Sequence, residues 1–212
     1  MATYSFHVSK ISGGMSAVAG SAYNAEEKAV QYEYEDEIVI GSTVAQTPTE
    51  SQNDRRNDDS ALMQSVAYRS GTMIAEFDYT KRKKDRISTA IVAPDYAPLW
   101  VHERERLWNE VHHAEKRKDA CYAREIKVSL PSEILQKYGD QADGKYMELL
   151  KGFCQEQFCS RGHVADIAIH IKKRTDPYKA NPHAHIMVND RPFSESEIGF
   201  SKKKDRGFCQ RK

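Results

Sequence analysis

The sequence predicts an α+β fold, an antiparallel β-sheet with flanking helices, and three observations carry the prediction. Segments with strand composition outnumber segments with helical spacing. Most connections between them suit antiparallel pairing. A chain of 212 residues with 39% hydrophobic content can bury a real core, in one domain of ordinary size or two small ones.

Residues 2–11 mix β-branched and aromatic side chains in partial alternation and stop at Gly13-Gly14, as a strand stops at a turn. Ser16 can cap a helix running from Ala17 to about Val30. Its face of Ala17, Ala19, Gly20, Ser21 and Ala22 is so poor in bulk that either a ligand or a sheet can approach it closely. The composition then shifts. Residues 32–44 can form a ribbon, while 46–60 are polar and aperiodic, so about 24–60 reads as an insertion within a domain spanning 1–212. A short helix is expected over 60–71, with Ser60 as cap and Gly71 as stop.

Strand-like runs at 73–80 and 87–94 flank the basic turn that holds Lys81, Arg82, Lys83 and Lys84. Over 100–126, Trp100, Leu107, Trp108 and Val111 recur near helical spacing with charges on the opposite face, which predicts an amphipathic helix. Ile126, Val128 and Leu130 then alternate with Glu125, Lys127 and Ser129 in a strand halted by Pro131. Met147, Leu149, Leu150, Phe153, Cys154 and Phe158 supply the apolar face of a helix over 145–159. Strands at 163–171 and 183–188, joined by a loop, complete the pattern.

The formal charge of +1 argues against a nucleic-acid partner only if charge is evenly spread, and it is not. Residues 24–60 hold 10 acidic and 3 basic residues, a net of −7, which leaves 29 basic and 21 acidic residues elsewhere, a net of +8. A moderately basic body therefore carries an acidic insertion. Four cysteines without CxxC spacing indicate reduced thiols rather than a zinc cluster or a disulfide framework. No run approaches the roughly 18–20 apolar residues of a membrane span, and the start lacks the features of a signal peptide. A soluble cytoplasmic protein is expected.

His183 and His185, two apart in a strand, project from one sheet face. His170 lies near the end of the preceding strand, and a hairpin would bring it beside that pair, giving three imidazoles around one ion with open positions for an oxygen ligand. A cluster of partly buried histidines fits the same spacing.

The runs VADIAIH (164–170) and NPHAHIMV (181–188) resemble the three-histidine motif of the MobA/MobL (MobQ-class) plasmid mobilisation relaxases, of the HUH endonuclease superfamily. The similarity extends to GGMSAVAGSAY (13–23), DYTKRKK (78–84), EKRKDACYAREIKVSLP (115–131) and GFSKKKDRGF (199–208). It implies an HUH relaxase-like palm with a metal site on the sheet face and a tyrosine nucleophile on a helix near the N-terminus. His170, His183 and His185 match the metal ligands, and Glu125 matches an acidic position that orients a ligand imidazole. The ion is expected to be Mg²⁺ or Mn²⁺, with Zn²⁺, Co²⁺ or Ni²⁺ also suited to imidazole donors. The loop after His170 is a few residues longer than the family's usual one. The chain also stops soon after GFSKKKDRGF, so the closing part of the usual relaxase domain is expected to be missing.

The resemblance implies that a tyrosine attacks a DNA phosphodiester and becomes joined to the 5′ phosphate. A free phenol is ionised only to about one part in a thousand at pH 7, a penalty of roughly 4 kcal/mol that a metal ion at the phosphate helps to offset. Two tyrosines compete for the role. Tyr23 follows the first strand and the small-residue helix, as the family nucleophile does, and is preferred; Tyr68, in AYRSG, has the commoner local wording.

The expected function is a relaxase that nicks single-stranded plasmid transfer-origin DNA and starts conjugative mobilisation, with accessory mobilisation proteins and a coupling protein as possible partners. The alternative is a catalytically inactive DNA-binding remnant. Candidate DNA contacts are Lys81, Arg82, Lys83 and Lys84, then Lys172, Lys173 and Arg174 with Tyr178, and Lys202, Lys203 and Lys204.

Overall fold

The structure, a computed structural model, describes residues 5–12, 15–34, 71–80, 85–117, 119–172, 180–196 and 199–209. Strands β1 (Phe6–Ser12), β4 (Asp85–Val92), β5 (Cys121–Ser129), β6 (Ala165–Lys172) and β7 (His183–Asn189) form one sheet in the order β1-β5-β7-β6-β4. Every pairing in it is antiparallel. Strands β2 (Lys28–Tyr34) and β3 (Gly71–Asp78) make a separate antiparallel ribbon. The helices are α1 (Ala17–Ala25), α2 (Arg104–Ala114), α3 (Ser132–Tyr138), α4 (Ala142–Gln157) and the short α5 (Arg206–Cys209).

Side-chain alternation gives the sheet two unlike faces. On one, Ile126, Ile167, Ile169, Ile171, Ala184, Ile186 and Val188 pack against Tyr146, Leu150 and Cys154 of α4. Tyr146 donates its hydroxyl to the Pro131 carbonyl at 2.6 Å, which ties α4 to the chain leaving β5. On the other face, Ala123 and Met187 meet Ala17, Val18 and Ala22 of α1 and Leu107, Trp108 and Val111 of α2. Interior strand β6 is covered on both sides, which explains its nearly unbroken buried run.

Asp166 on β6 joins this second layer together. Its carboxylate accepts from the Ser21 hydroxyl of α1 at 2.6 Å, from the Trp108 indole of α2 at 2.9 Å and from Arg104 Nε at 3.1 Å. Arg104 also clasps Glu27, just beyond α1, at 2.7 and 2.8 Å. Burial pushes the Asp166 carboxyl pKa upward, against the opposing pull of Arg104, Ser21 and Trp108. The small-residue face of α1 is therefore a packing surface: a Cβ on Gly20 would lie 3.6–3.7 Å from Ile11 and Met187.

Ser16 caps α1 as its sequence predicts, accepting from Ala19 N–H at 3.1 Å. The neighbouring Ala17 N–H donates to His112 Nε2 at 2.8 Å, so His112 caps the helix as a neutral imidazole, and burial pulls its pKa down to about 4.

Several boundaries differ from the sequence reading. The first helix stops at Ala25 instead of near Val30, because Glu26 takes a left-handed conformation (φ 52°) and returns its N–H to the Ala22 and Tyr23 carbonyls. Residues 28–34 then extend and pair with β3. The helix expected over 100–126 is a 3₁₀ turn at Leu99–His102 followed by α2, and α3 and α5 carry no clear signal in the sequence. The segment 60–71 lies outside the described residues up to its last residue, Gly71, which opens β3. Cys154 and Cys159 are buried free thiols, and Cys121 is a partly buried one. No helix among the described residues is long and apolar enough to cross a membrane.

Two outcomes follow from this layer. Asp166→Ala strands Arg104, the Ser21 hydroxyl and the Trp108 N–H, and should cost about 3–5 kcal/mol of stability by urea unfolding. His112 binds its proton more readily in the unfolded chain, so stability should fall as pH drops from about 6.5 toward 4. In His112→Gln, which keeps an acceptor but does not titrate, that part of the pH–stability curve should flatten.

Candidate active site

His170, His183 and His185 gather on the sheet face that carries α1. Antiparallel pairing sets His170 directly opposite His183, while His185 stands two residues further along β7 opposite Ala168. The ring centroids form a nearly equilateral triangle with sides of 5.1, 5.4 and 5.4 Å. The hairpin expected from the sequence thus brings the three rings together.

Each ring is held by an acceptor. His183 Nδ1 donates to the Asn181 carbonyl at 2.9 Å, and His185 Nδ1 donates to Glu125 Oε1 at 2.8 Å. His170 Nε2 donates to the Asn24 carbonyl of α1 at 2.7 Å. These acceptors place a proton on Nδ1 of His183 and His185 and on Nε2 of His170. Among the described residues no group of three or more His, Cys, Asp or Glu side chains is arranged to hold a metal ion. His170 accounts for part of this, since its Nε2 is turned to the backbone of α1.

Glu125, on β5, bonds to one of the three imidazoles. Its carboxylate accepts from His185, from Asn24 Nδ2 at 3.1 Å and from the Ser9 hydroxyl at 3.4 Å. Burial works to raise its pKa, but the bonds from His185 and Asn24 prevail, with Lys127 nearby, and hold it down at about 2. Glu125 therefore faces His185 as a full carboxylate.

Tyr23 lies on the last turn of α1, half exposed, with its ring edge-on to Tyr79 at 5.4 Å. Its chain neighbour Asn24 is buried and touches both Glu125 and His170. The helix that carries the tyrosine is thereby bonded to the histidine cluster one residue away. Sequence reasoning missed Asn24, Asn181 and Tyr79. A buried polar residue beside the tyrosine and an asparagine before the Pro-His step were the available signals.

Tyr68, Lys81, Arg82, Lys83, Lys84, Lys173, Arg174 and Tyr178 lie outside the described residues. Lys172 is exposed at the end of β6, and Lys202 and Lys203 are exposed near the C-terminus. Lys204 is no solvent-facing contact: its ammonium donates to the Cys121 carbonyl at 2.7 Å and pairs with Asp190 and Glu115 at 3.1 Å. With Arg124–Asp190 at 3.1 Å and Arg191–Glu115 at 3.0 Å, it makes an ion-pair cluster around the start of β5. Part of the charge in residues 115–124 is structural.

A family model described as the MobA/MobL family matches residues 60–211. A conjugal transfer protein TraA from Agrobacterium fabrum is 30% identical over 59% of this chain and 11% of its own length. A probable mobilization protein MobA from Bifidobacterium longum is 32% identical over 61% of this chain and 21% of its own length. A mobilization protein MobL from Acidithiobacillus ferridurans is 27% identical over 58% and 37%. The chain thus matches well under half the length of each of these relatives. A solved structure described as "Molecular Basis of Vancomycin Resistance Transfer in Staphylococcus aureus" superposes with a TM-score of 0.62 at 24% identity, over 97% of this chain and 78% of the other, a likeness of fold.

Glu125→Ala leaves the Asn24 amide and the His185 N–H without their shared acceptor. The loss of hydrogen bonds to a charged group should lower stability at pH 7 by about 1.5–3 kcal/mol in a denaturant titration.

Proposed function

Because the chain belongs to the MobA/MobL family, we propose that it is a DNA relaxase that nicks one strand of a plasmid transfer origin and so starts conjugative mobilisation. The Tyr23 hydroxyl oxygen attacks the scissile phosphorus, its proton passes to solvent, and a tyrosyl 5′-phosphate forms as the 3′ oxygen leaves. Attack by that 3′ hydroxyl reverses the step. The supporting observation is the join between nucleophile helix and histidine cluster: Asn24, next to Tyr23, binds Glu125 through its side chain and His170 through its carbonyl.

The imidazole set suits a divalent ion in donor chemistry, and the three rings stand close together; binding would require His170 to engage through Nδ1 or to turn over. Bound there by His170, His183 and His185, such an ion, Mg²⁺ or Mn²⁺ foremost, would neutralise charge on the scissile phosphate. Glu125 keeps the proton of His185 on Nδ1 and its Nε2 turned to the ligand side. The Tyr79 ring limits the swing of Tyr23. Exposed Lys172, with the basic residues at 81–84 and 173–174, would meet the DNA backbone.

The second reading, a DNA-binding remnant without turnover, draws on the family match beginning at residue 60, which takes in Tyr68 but not Tyr23. A denaturing gel of the pure protein with single-stranded origin DNA and Mn²⁺ separates the two. Relaxase activity gives a covalent shift that Tyr23→Phe abolishes and Tyr68→Phe leaves intact. The reverse pattern moves the nucleophile to Tyr68, and binding without any shift means a remnant. His183→Ala combined with His185→Ala should remove both Mn²⁺ binding and the shift; unchanged cleavage would refute the histidine site.

A further inference from the structure

Among the described residues only two non-glycine residues have positive φ, Glu26 at 52° and Asn181 at 46°; Asn181 itself carries a carbonyl that receives an imidazole N–H, and Glu26 lies two residues past Asn24, which carries another. Left-handed backbone is strained for an ordinary L-residue, and asparagine is among the few side chains that tolerate it. Where such a conformation persists, the surroundings must enforce it, and here both neighbours are tied down. The Ala180 carbonyl accepts from Lys172 N–H at 3.1 Å and closes the β6–β7 hairpin. The Pro182 carbonyl accepts from Leu130 N–H at 2.9 Å and fastens the start of β7 to the end of β5. Ala180 and Pro182 are buried, whereas Asn181 between them is exposed.

The chain therefore turns within one residue, and the turn aims the Asn181 carbonyl at Nδ1 of His183, two residues on. A carbonyl only accepts, so this contact fixes the proton on Nδ1 and makes Nε2 the lone-pair nitrogen. Neutral imidazole free in water favours the opposite tautomer, so the preference has to come from the protein. For His185 the acceptor at Nδ1 is the Glu125 carboxylate; for His183 it is the Asn181 backbone carbonyl.

We propose that Asn181 is a positioning residue that acts through its left-handed backbone, not its side chain, by holding the His183 ring and tautomer for metal binding. The inference rests on the three-histidine reading above and extends it to a residue outside the ligand set. Asn181 is exposed near the site, so the competing role is a side-chain contact to DNA, and the two roles respond oppositely to glycine. Glycine keeps the left-handed turn and deletes the amide, while alanine strains the turn.

The test uses the full chain with Asn181→Gly, Asn181→Asp and Asn181→Ala. In metal-free protein above the imidazole titration range, ¹⁵N-imidazole spectra report the His183 tautomer, and calorimetry with Mn²⁺ reports affinity. Wild type, Asn181→Gly and Asn181→Asp should show His183 protonated on Nδ1 and bind Mn²⁺ alike. Asn181→Ala should shift toward the Nε2–H form and lose about tenfold in affinity, the usual size for a displaced outer partner. An Asn181→Gly protein as impaired as Asn181→Ala would overturn the inference, as would Asn181→Ala behaving like wild type. If Asn181→Ala does not fold, loss of the Nδ1–H form in Asn181→Gly or Asn181→Asp overturns it equally. Wild type that shows the tautomer but binds no Mn²⁺ would overturn the metal reading together with this inference, whereas a covalent gel shift tests the relaxase chemistry alone.

Discussion

The arrangement depends on a single buried carboxylate. Asp166 sits on the interior strand β6, on the face shared with the histidines, and accepts bonds from both helices laid across that face. A lone carboxylate there would face a desolvation cost large enough to keep it protonated or the chain unfolded. Three donors from two helices offset that cost only when α1 and α2 are both docked in register. The demand is mutual: Ser21 fixes the rotation of α1, and Arg104 clamps the chain just past that helix through Glu27. Asp166 thus sets where the last turn of α1 falls, four residues along β6 from His170.

The strand alternation that makes one sheet face greasy makes the other chemical. Ile167, Ile169 and Ile171 point at α4, so Asp166, Ala168 and His170 must point at α1. On β7 the same rule sends Ala184, Ile186 and Val188 one way and His183, His185 and Met187 the other. The antiparallel register then places His170 against His183 and Glu125 against Met187, one step diagonal from His185. Period-two patterning and the β6–β7 hairpin account for this part of the site, which is why His170, His183 and His185 can be read from the sequence together with the α+β class, whereas the role of Glu125 enters only through the family resemblance.

Contacts between sequence-distant residues without a period are not legible in that way. Nothing in the string marks Asp166 as the acceptor for Ser21, Arg104 and Trp108, because hydrogen bonding between layers leaves no repeat. The charged stretch from Glu115 to Arg124 looks like solvated surface, yet Glu115 and Arg124 are drawn into ion pairs with Arg191 and Asp190. Charge counted along a chain measures composition; which charges face solvent is decided by tertiary pairing. Glu27, counted with the acidic insertion, likewise belongs to the clamp on Arg104.

The end of α1 shows how one local departure from propensity builds chemistry. Alanines and glutamates continue past Tyr23, and on propensity alone the helix runs to about Val30. In that longer helix the Asn24 carbonyl would accept from the N–H of Lys28, four residues on. The stop at Ala25 instead caps the Ala22 and Tyr23 carbonyls with the amides of Glu26 and Glu27. The Asn24 carbonyl is left at the negative end of the helix, where a donor is favoured, and His170 Nε2–H fills that place. Residues 28–34 are released to pair with β3, which brings Tyr79 back against Tyr23. A single left-handed residue, Glu26, therefore ends a helix, starts a ribbon and supplies the acceptor that ties a tyrosine-bearing helix to an imidazole. Propensity fails at this position because the histidine cluster and the ribbon together outweigh the few tenths of a kcal/mol per residue that helix continuation would add.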